Sequence, residues 1–325
     1  MTKPLDYAAL DDLLARGDLA GAVGLVGAAA DGGDADAVFQ QAIWHLIGTP
    51  LPRDLPRARR LLGRAAGRGH ADAAAAEIAL TANGSGGSAD WSSARRLLDQ
   101  GGDHPSLLRQ RELLAPLALA PDGAPRVVPP SRALVDDGSI RLFPAFAAPA
   151  ECAHLAAGTR ELLAPAVVVD SATGATIRHP VRDADEAVYG PTREDLVVRA
   201  INLRIAAASG TDVAQGEALT VLRYAPGQRF KLHSDVIGRT RNERCATMLV
   251  YLNDAFEGGE TSFPDHGLVV KPKAGDALLF RNTLADGRPD PRKRHAGEPV
   301  TRGVKWLATR WIRTRPFDPW TGPEG

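Results

Sequence analysis

At 325 residues the chain is long enough for two domains, each with its own core. Lysine plus arginine equals aspartate plus glutamate, 39 of each, so the chain offers no electrostatic case for nucleic acid or an anionic membrane as partner. Two cysteines, Cys152 and Cys245, cannot form a disulfide framework and read as small buried hydrophobes; with no apolar signal core and no run long enough to span a bilayer, a cytoplasmic protein is expected.

The first hundred residues repeat. Asp18, Asp54 and Asp90 are thirty-six residues apart, as are Ala22, Ala58 and Ala94, Leu25, Leu61 and Leu97, and Val26, Leu62 and Leu98. Ala35-Asp36-Ala37 returns as Ala71-Asp72-Ala73, and Gly48 as Gly84. A fixed period of this size marks a stacked helical-hairpin array, an α-solenoid, whose small alanines let helices approach closely. The pattern resembles Sel1-like repeats, relatives of the tetratricopeptide repeat. It predicts helices over Ala35–Ile47 and Leu55–Gly67, with an irregular closing segment from Pro105 to Leu117. Such an array over residues 1–117 is either a concave platform for a partner or an appendage that stabilises its neighbour.

Proline and glycine crowd the stretch from Ala118 to Arg132, which predicts a linker over 118–137, a second domain over 138–317 and a short tail over 318–325. Apolar spacing predicts helices over Pro149–Leu163 and Arg193–Ala208, packed outside a sheet. Strands are expected at Leu219–Tyr224, Phe230–His233, Ala246–Leu252, Leu268–Lys271, Ala277–Arg281 and Val304–Arg313, separated by turn residues such as Pro226-Gly227 and Gly258-Gly259. Many short strands at this spacing indicate an antiparallel sandwich or barrel.

Within that region, strand alternation would point His233 and Asp235 the same way, with Ser234 opposite. His295 lies far enough downstream to arrive from an opposing strand. Two imidazoles and one carboxylate can occupy one face of an octahedral metal and leave the rest open, which suits non-haem Fe(II) oxygen chemistry. Lys305, ten residues beyond His295, would be costly inside an apolar barrel unless a carboxylate met it. A dicarboxylate cosubstrate would supply that carboxylate, and Tyr224 could add a phenolic hydrogen bond.

Four stretches carry a resemblance: Leu222-Arg-Tyr-Ala-Pro-Gly-Gln-Arg-Phe-Lys-Leu-His-Ser-Asp, Leu249-Val-Tyr-Leu-Asn-Asp-Ala-Phe-Glu-Gly-Gly-Glu-Thr-Ser-Phe, Pro272-Lys-Ala-Gly-Asp-Ala-Leu-Leu-Phe and Lys305-Trp-Leu-Ala-Thr-Arg-Trp-Ile. In order, spacing and type they resemble the catalytic domain of prolyl 4-hydroxylase-type Fe(II)/2-oxoglutarate-dependent dioxygenases. The resemblance implies a double-stranded β-helix, or jelly roll, with flanking helices. It implies His233, Asp235 and His295 as Fe(II) ligands, Lys305 on the distal carboxylate of 2-oxoglutarate with Tyr224 assisting, O2 as co-reactant and ascorbate as a supporting reductant. The implied reaction yields succinate, CO2 and a hydroxylated C–H position. Asp235 stands where halogenating relatives carry a small residue. The Arg178–Tyr189 segment, with Arg182, corresponds to a substrate loop of Arg-Thr-Ser type in plant and animal prolyl hydroxylases, but its neighbours differ.

Trp306 and Trp311 read mainly as core filling, Gly258-Gly259-Glu260-Thr261 as a sharp turn, Asp276 as a turn stabiliser, and His179 and His266 as surface or loop residues. Two basic loops, Arg239–Arg244 and Arg288–Arg294, are expected near the cavity mouth, as solvated loops or as a device that steers an acidic substrate. The expected function is hydroxylation of a peptide or protein side chain, proline first, docked on the repeats, because a free amino acid needs no extended docking face. A small molecule or free amino acid as substrate, and a non-turnover adaptor sensing iron, oxygen or 2-oxoglutarate, remain as alternatives; oligomeric state is open.

Overall fold

The computed structural model describes residues 4–169, 176–178, 181–238, 240–271 and 273–322. The chain divides into two compact units, the first comprising Met1–Gly123 with Pro191–Arg199, the second Ala124–Gly190 with Ala200–Gly325. Among the described residues no helix is long and apolar enough to cross a membrane.

In the first unit the thirty-six-residue period has a physical origin. Asp18, Asp54 and Asp90 are N-caps of the Leu19–Asp31, Leu55–Ala66 and Trp91–Gln100 helices, and their carboxylates accept from Gly21, Arg57 and Ser93 N–H at 2.9, 2.8 and 2.9 Å. Gly48 and Gly84 end the Ala35–Ile47 and Ala71–Asn83 helices with φ of 87° and 85°, a left-handed cap that only glycine adopts cheaply. Ala22, Ala58 and Ala94 are fully buried, as are Val26, Leu62 and Leu98, so the repeating positions are the helix–helix contacts. The closing helix runs Pro105–Leu114, and its Gln110 side chain accepts from Leu196 N–H at 3.2 Å.

In the second unit an antiparallel eight-stranded sheet runs, edge to edge, through Arg132–Ala133, Ile140–Phe143, Ala277–Arg281, Arg244–Tyr251, Lys305–Arg313, Thr220–Tyr224, Asp185–Val188 and Ala164–Pro165. A five-stranded sheet is ordered Leu268–Val270, Thr261–Phe263, His295–Gly297, Arg229–His233 and Arg182–Asp183. Side chains from both sheets meet in one apolar cluster that includes Leu222, Tyr251, Phe263, Leu278, Phe280 and Leu307, which makes this a jelly roll. The Pro149–Ala157 helix is tied down by a buried ion pair, Arg204 Nη2 to Glu151 Oε1 at 2.8 Å, and by the contact of Cys152 with the Tyr251 carbonyl. Registers Lys305 opposite Tyr224, Leu307 opposite Leu222 and Trp311 opposite Thr247 align the inward faces of the three central strands.

Candidate metal centre and cavity

Alternation along these strands builds one cavity. Lys305, Leu307, Thr309 and Trp311 line it from one strand, Leu222 and Tyr224 from the next and Leu249 from the third, while Phe230, His233, Thr261 and His295 close it from the smaller sheet. Its volume, open mouth included, is about 390 Å³.

His233 and Asp235 reach the cavity by a different route from simple alternation. The strand ends at His233, and Asp235 lies in the bend beyond it. Along that strand the register slips: His295 pairs with His233, whereas Gly297 pairs with Phe230, so a bulge falls between. The extra residue lets Phe230 and His233 face the same side, stacked with ring centroids 3.5 Å apart and planes 10° apart. His295 is packed by Phe263 and Phe280, at 5.5 and 4.6 Å between centroids.

One donor atom from each of His233, Asp235 and His295 falls within 4.8 Å of the others. The Nδ1 of His233 meets the Lys231 carbonyl at 2.8 Å, and that of His295 meets the Lys293 carbonyl at 3.1 Å. A carbonyl only accepts, so each Nδ1 carries the proton and each Nε2 presents a lone pair. Those lone pairs face Asp235, at 3.4 Å from Oδ1 for His233 and 3.7 Å from Oδ2 for His295. His233 Nε2 is buried without a hydrogen-bond partner. Burial pushes the His295 imidazole down to about 4, against the opposing pull of Asp235, so it is neutral at ordinary pH. Burial alone would raise the Asp235 carboxyl; positive charge at His295 and His233, present only when an imidazole takes up a second proton, and the Thr247 hydroxyl hold the group well below the usual carboxylate range. Two lone pairs and an anion converging in a dry site repel one another unless a cation lies between them, so the donor set fits a divalent metal.

At another part of the cavity wall Lys305 is 2% exposed. Its Nζ donates to the Gly259 carbonyl at 2.7 Å and lies 5.5 and 5.6 Å from the ring centroids of Tyr224 and Tyr251. Burial lowers the Lys305 ammonium to about 8, with Glu260 opposing, and raises the Tyr224 hydroxyl above its ordinary range. Gly259 has φ of +67°, and a Cβ there would sit 3.0 Å from Phe256 and 3.2 Å from Lys305 Cδ. The Gly258-Gly259 turn therefore supplies the carbonyl that holds the lysine, a role its turn composition did not reveal.

Other residues fall differently from expectation. Trp311 is buried but lines the cavity, with the Arg244 guanidinium 4.1 Å from its ring centroid; its place in the Lys305-Leu307-Thr309 alternation was the available signal. Trp306 lies on the opposite face, beside Arg223 and Asp185. His266 is partnered: its Nε2 lies 2.9 Å from Lys293 Nζ, because Lys293 is buried rather than solvated and also pairs with Asp290 at 3.3 Å. His179 and Arg239 fall outside the described residues. Within the basic loops Arg294 pairs with Asp265, and Arg244 pairs with Glu217 through two bonds of 2.6 and 2.8 Å. Arg182 pairs with Glu186 at 2.6 Å and approaches Phe230 to 5.6 Å, which brings it beside the cavity.

Residues 219–313 match the family described as the 2OG-Fe(II) oxygenase superfamily. Prolyl 4-hydroxylase 1 of Arabidopsis thaliana is 39% identical over 189 residues, 52% of this chain and 67% of that protein. Among solved structures, the viral collagen prolyl hydroxylase of Paramecium Bursaria Chlorella virus-1, as a 2OG complex, is 25% identical with a TM-score of 0.45, covering 56% of this chain and all of that one. A Sel1 repeat protein from Oxalobacter formigenes is 24% identical with a TM-score of 0.26, covering 29% of this chain and 39% of that one. The chain belongs to the 2OG-Fe(II) oxygenase superfamily, as a homologue of the prolyl 4-hydroxylases. It is an enzyme, a dioxygenase that uses Fe(II), 2-oxoglutarate and O2.

Proposed function

We propose that His233, Asp235 and His295 hold the ferrous ion, that Lys305 and Tyr224 receive the distal carboxylate of 2-oxoglutarate, and that the enzyme hydroxylates a peptide or protein side chain, proline first. The convergence of three lone-pair donors on one cavity whose wall also holds a buried ammonium carries this reading. The reaction consumes 2-oxoglutarate, O2 and a C–H bond and yields succinate, CO2 and a hydroxyl group; the bound iron supplies its redox chemistry. The protein's part is placement. Backbone carbonyls fix both imidazole tautomers, Leu222, Leu249 and Leu307 exclude water, and Lys305 orients the cosubstrate.

Proline is favoured because the matched relatives are named for it. Docking of the peptide on the repeats is supported by an open groove in the first unit, lined by Leu51, Pro52, Leu55 and Pro56 with Arg53 and Arg57. The decisive experiment offers the full chain, with Fe(II), ascorbate and 2-oxoglutarate, a proline-containing peptide library beside a metabolite pool. Gain of one oxygen on peptides supports the reading. Turnover confined to free metabolites would replace it with the small-molecule alternative, and succinate release with no oxygenated product would favour the sensing adaptor.

A further inference from the structure

Asp235 is held from behind by a chain of two neutral side chains. Thr247 Oγ1 lies 2.6 Å from Asp235 Oδ2, and Asn282 Nδ2 lies 2.9 Å from Thr247 Oγ1. Thr247 and Asn282 are fully and almost fully buried, at 0% and 1% exposure. The direction of the chain follows from chemistry. An ionised carboxylate only accepts, so the single hydroxyl proton of Thr247 goes to Asp235, and the Thr247 oxygen is left to accept from the Asn282 amide. Turning that amide over would offer Thr247 an acceptor that competes with Asp235 for its proton. Asn282 Oδ1, meanwhile, is buried without a partner, so its amide is oriented for Thr247 at the cost of an unmade bond. The Asn282 backbone is pinned on both sides, its N–H donating to the Cys245 carbonyl at 2.8 Å and its carbonyl accepting from Asp290 N–H at 2.9 Å.

We propose that Thr247, aligned by Asn282, is a positioning residue that occupies Asp235 Oδ2 and so keeps the carboxylate a single-oxygen metal ligand. This rests on the metal reading above. An octahedral ion held by three protein donors and by the two donor atoms of a chelating 2-oxo acid has one position left for O2. A carboxylate free to turn and bind through both oxygens would fill that position. Oδ2 lies 3.7 Å from His295 Nε2 and keeps a second lone pair, but the Thr247 hydroxyl weakens it as a donor and stops the carboxylate turning, so Oδ1, 3.4 Å from His233 Nε2, is the coordinating oxygen. The device stands apart from Lys305, so it acts on the metal and on O2, not on the distal carboxylate.

The test uses full-length Thr247→Val, which keeps shape and removes the hydroxyl, Thr247→Ser, which restores it, and Asp235→Ala as control. Anaerobic Fe(II) titration, the KM values for O2 and 2-oxoglutarate, and the ratio of hydroxylated product to succinate are measured. Thr247→Val releases Oδ2 to bind as a second donor, so Fe(II) binding is expected to tighten, by about tenfold. It should also raise the KM for O2 and lower product per succinate, with the KM for 2-oxoglutarate unchanged and Thr247→Ser returning all values towards wild type. Wild-type Fe(II) affinity and O2 dependence in Thr247→Val, while Asp235→Ala loses Fe(II), would overturn the proposal and leave the metal reading standing. Fe(II) retained by Asp235→Ala would instead overturn the metal reading. Should Thr247→Val fail to fold, Asn282→Ser, which leaves the hydroxyl present but unaligned, must show a smaller shift in the same direction, and its absence is equally fatal.

Discussion

Replacing Lys305 with methionine should stabilise the ligand-free protein and cripple its use of 2-oxoglutarate, two effects of opposite sign from one side chain. The Lys305 ammonium is buried against two tyrosine rings with the Gly259 carbonyl as its hydrogen-bond acceptor, and its proton affinity falls from the ordinary 10.5 to about 8. At about 1.4 kcal/mol per tenfold change, keeping that charge indoors costs about 3 kcal/mol. Methionine fills similar space without charge but abandons the bond to Gly259, which takes back about 1 kcal/mol. The net gain of about 2 kcal/mol corresponds to a rise in Tm of about 5 °C. The gain is full below pH 8 and fades towards pH 10.5, because over that interval the unfolded lysine binds a proton that the folded one has lost, so the wild type gains stability as pH rises. When 2-oxoglutarate is bound, a carboxylate left without its cation in this cavity costs about 3–5 kcal/mol, which raises its KM by at least about a hundredfold. Scanning calorimetry of the ligand-free protein and steady-state succinate assays read the two effects. An unchanged KM with an unchanged or lowered Tm would refute the reasoning.

The same ammonium sets a pH dependence. Below pH 8 it is charged in the free enzyme, and above it each pH unit should raise the KM for 2-oxoglutarate about tenfold, with kcat at saturation little altered; a KM flat to pH 9.5 would remove Lys305 from the carboxylate site. Gly259→Ala forces a left-handed φ on a residue with a Cβ and crowds Lys305 Cδ, so it should cost about 1–2 kcal/mol in denaturant unfolding and raise the KM for 2-oxoglutarate. A variant with wild-type stability and KM would show that the turn does not hold the lysine.

What was readable in the chain depended on whether a residue's role is local. The thirty-six-residue period was visible because its aspartates cap helices and its glycines end them, both tasks confined to a few neighbours in sequence. The His-Ser-Asp and distant His were legible as a donor set, but strand alternation covered only part of the geometry: Asp235 lies in the bend beyond the strand end at His233, and the bulge that puts His233 on the side of Phe230 depends on the partner strand. Gly259 looked like turn chemistry alone, since a carbonyl aimed at a lysine forty-six residues away leaves no mark on composition. Thr247 and Asn282 carry no local signal, for each occupies a place that a packed strand or loop residue could fill; only the fold puts them behind Asp235. Lys293 looked like one more cation in a solvated loop, and its burial against His266 and Asp290 follows from tertiary packing.

The central claim, that His233, Asp235 and His295 together grip one ferrous ion, is met most directly by anaerobic equilibrium dialysis of Fe(II) against the wild type and His233→Ala, Asp235→Ala and His295→Ala. One ion per wild-type chain, with each single variant losing saturable binding at the same free Fe(II), is the predicted result. Stoichiometric binding retained in all three variants would contradict it.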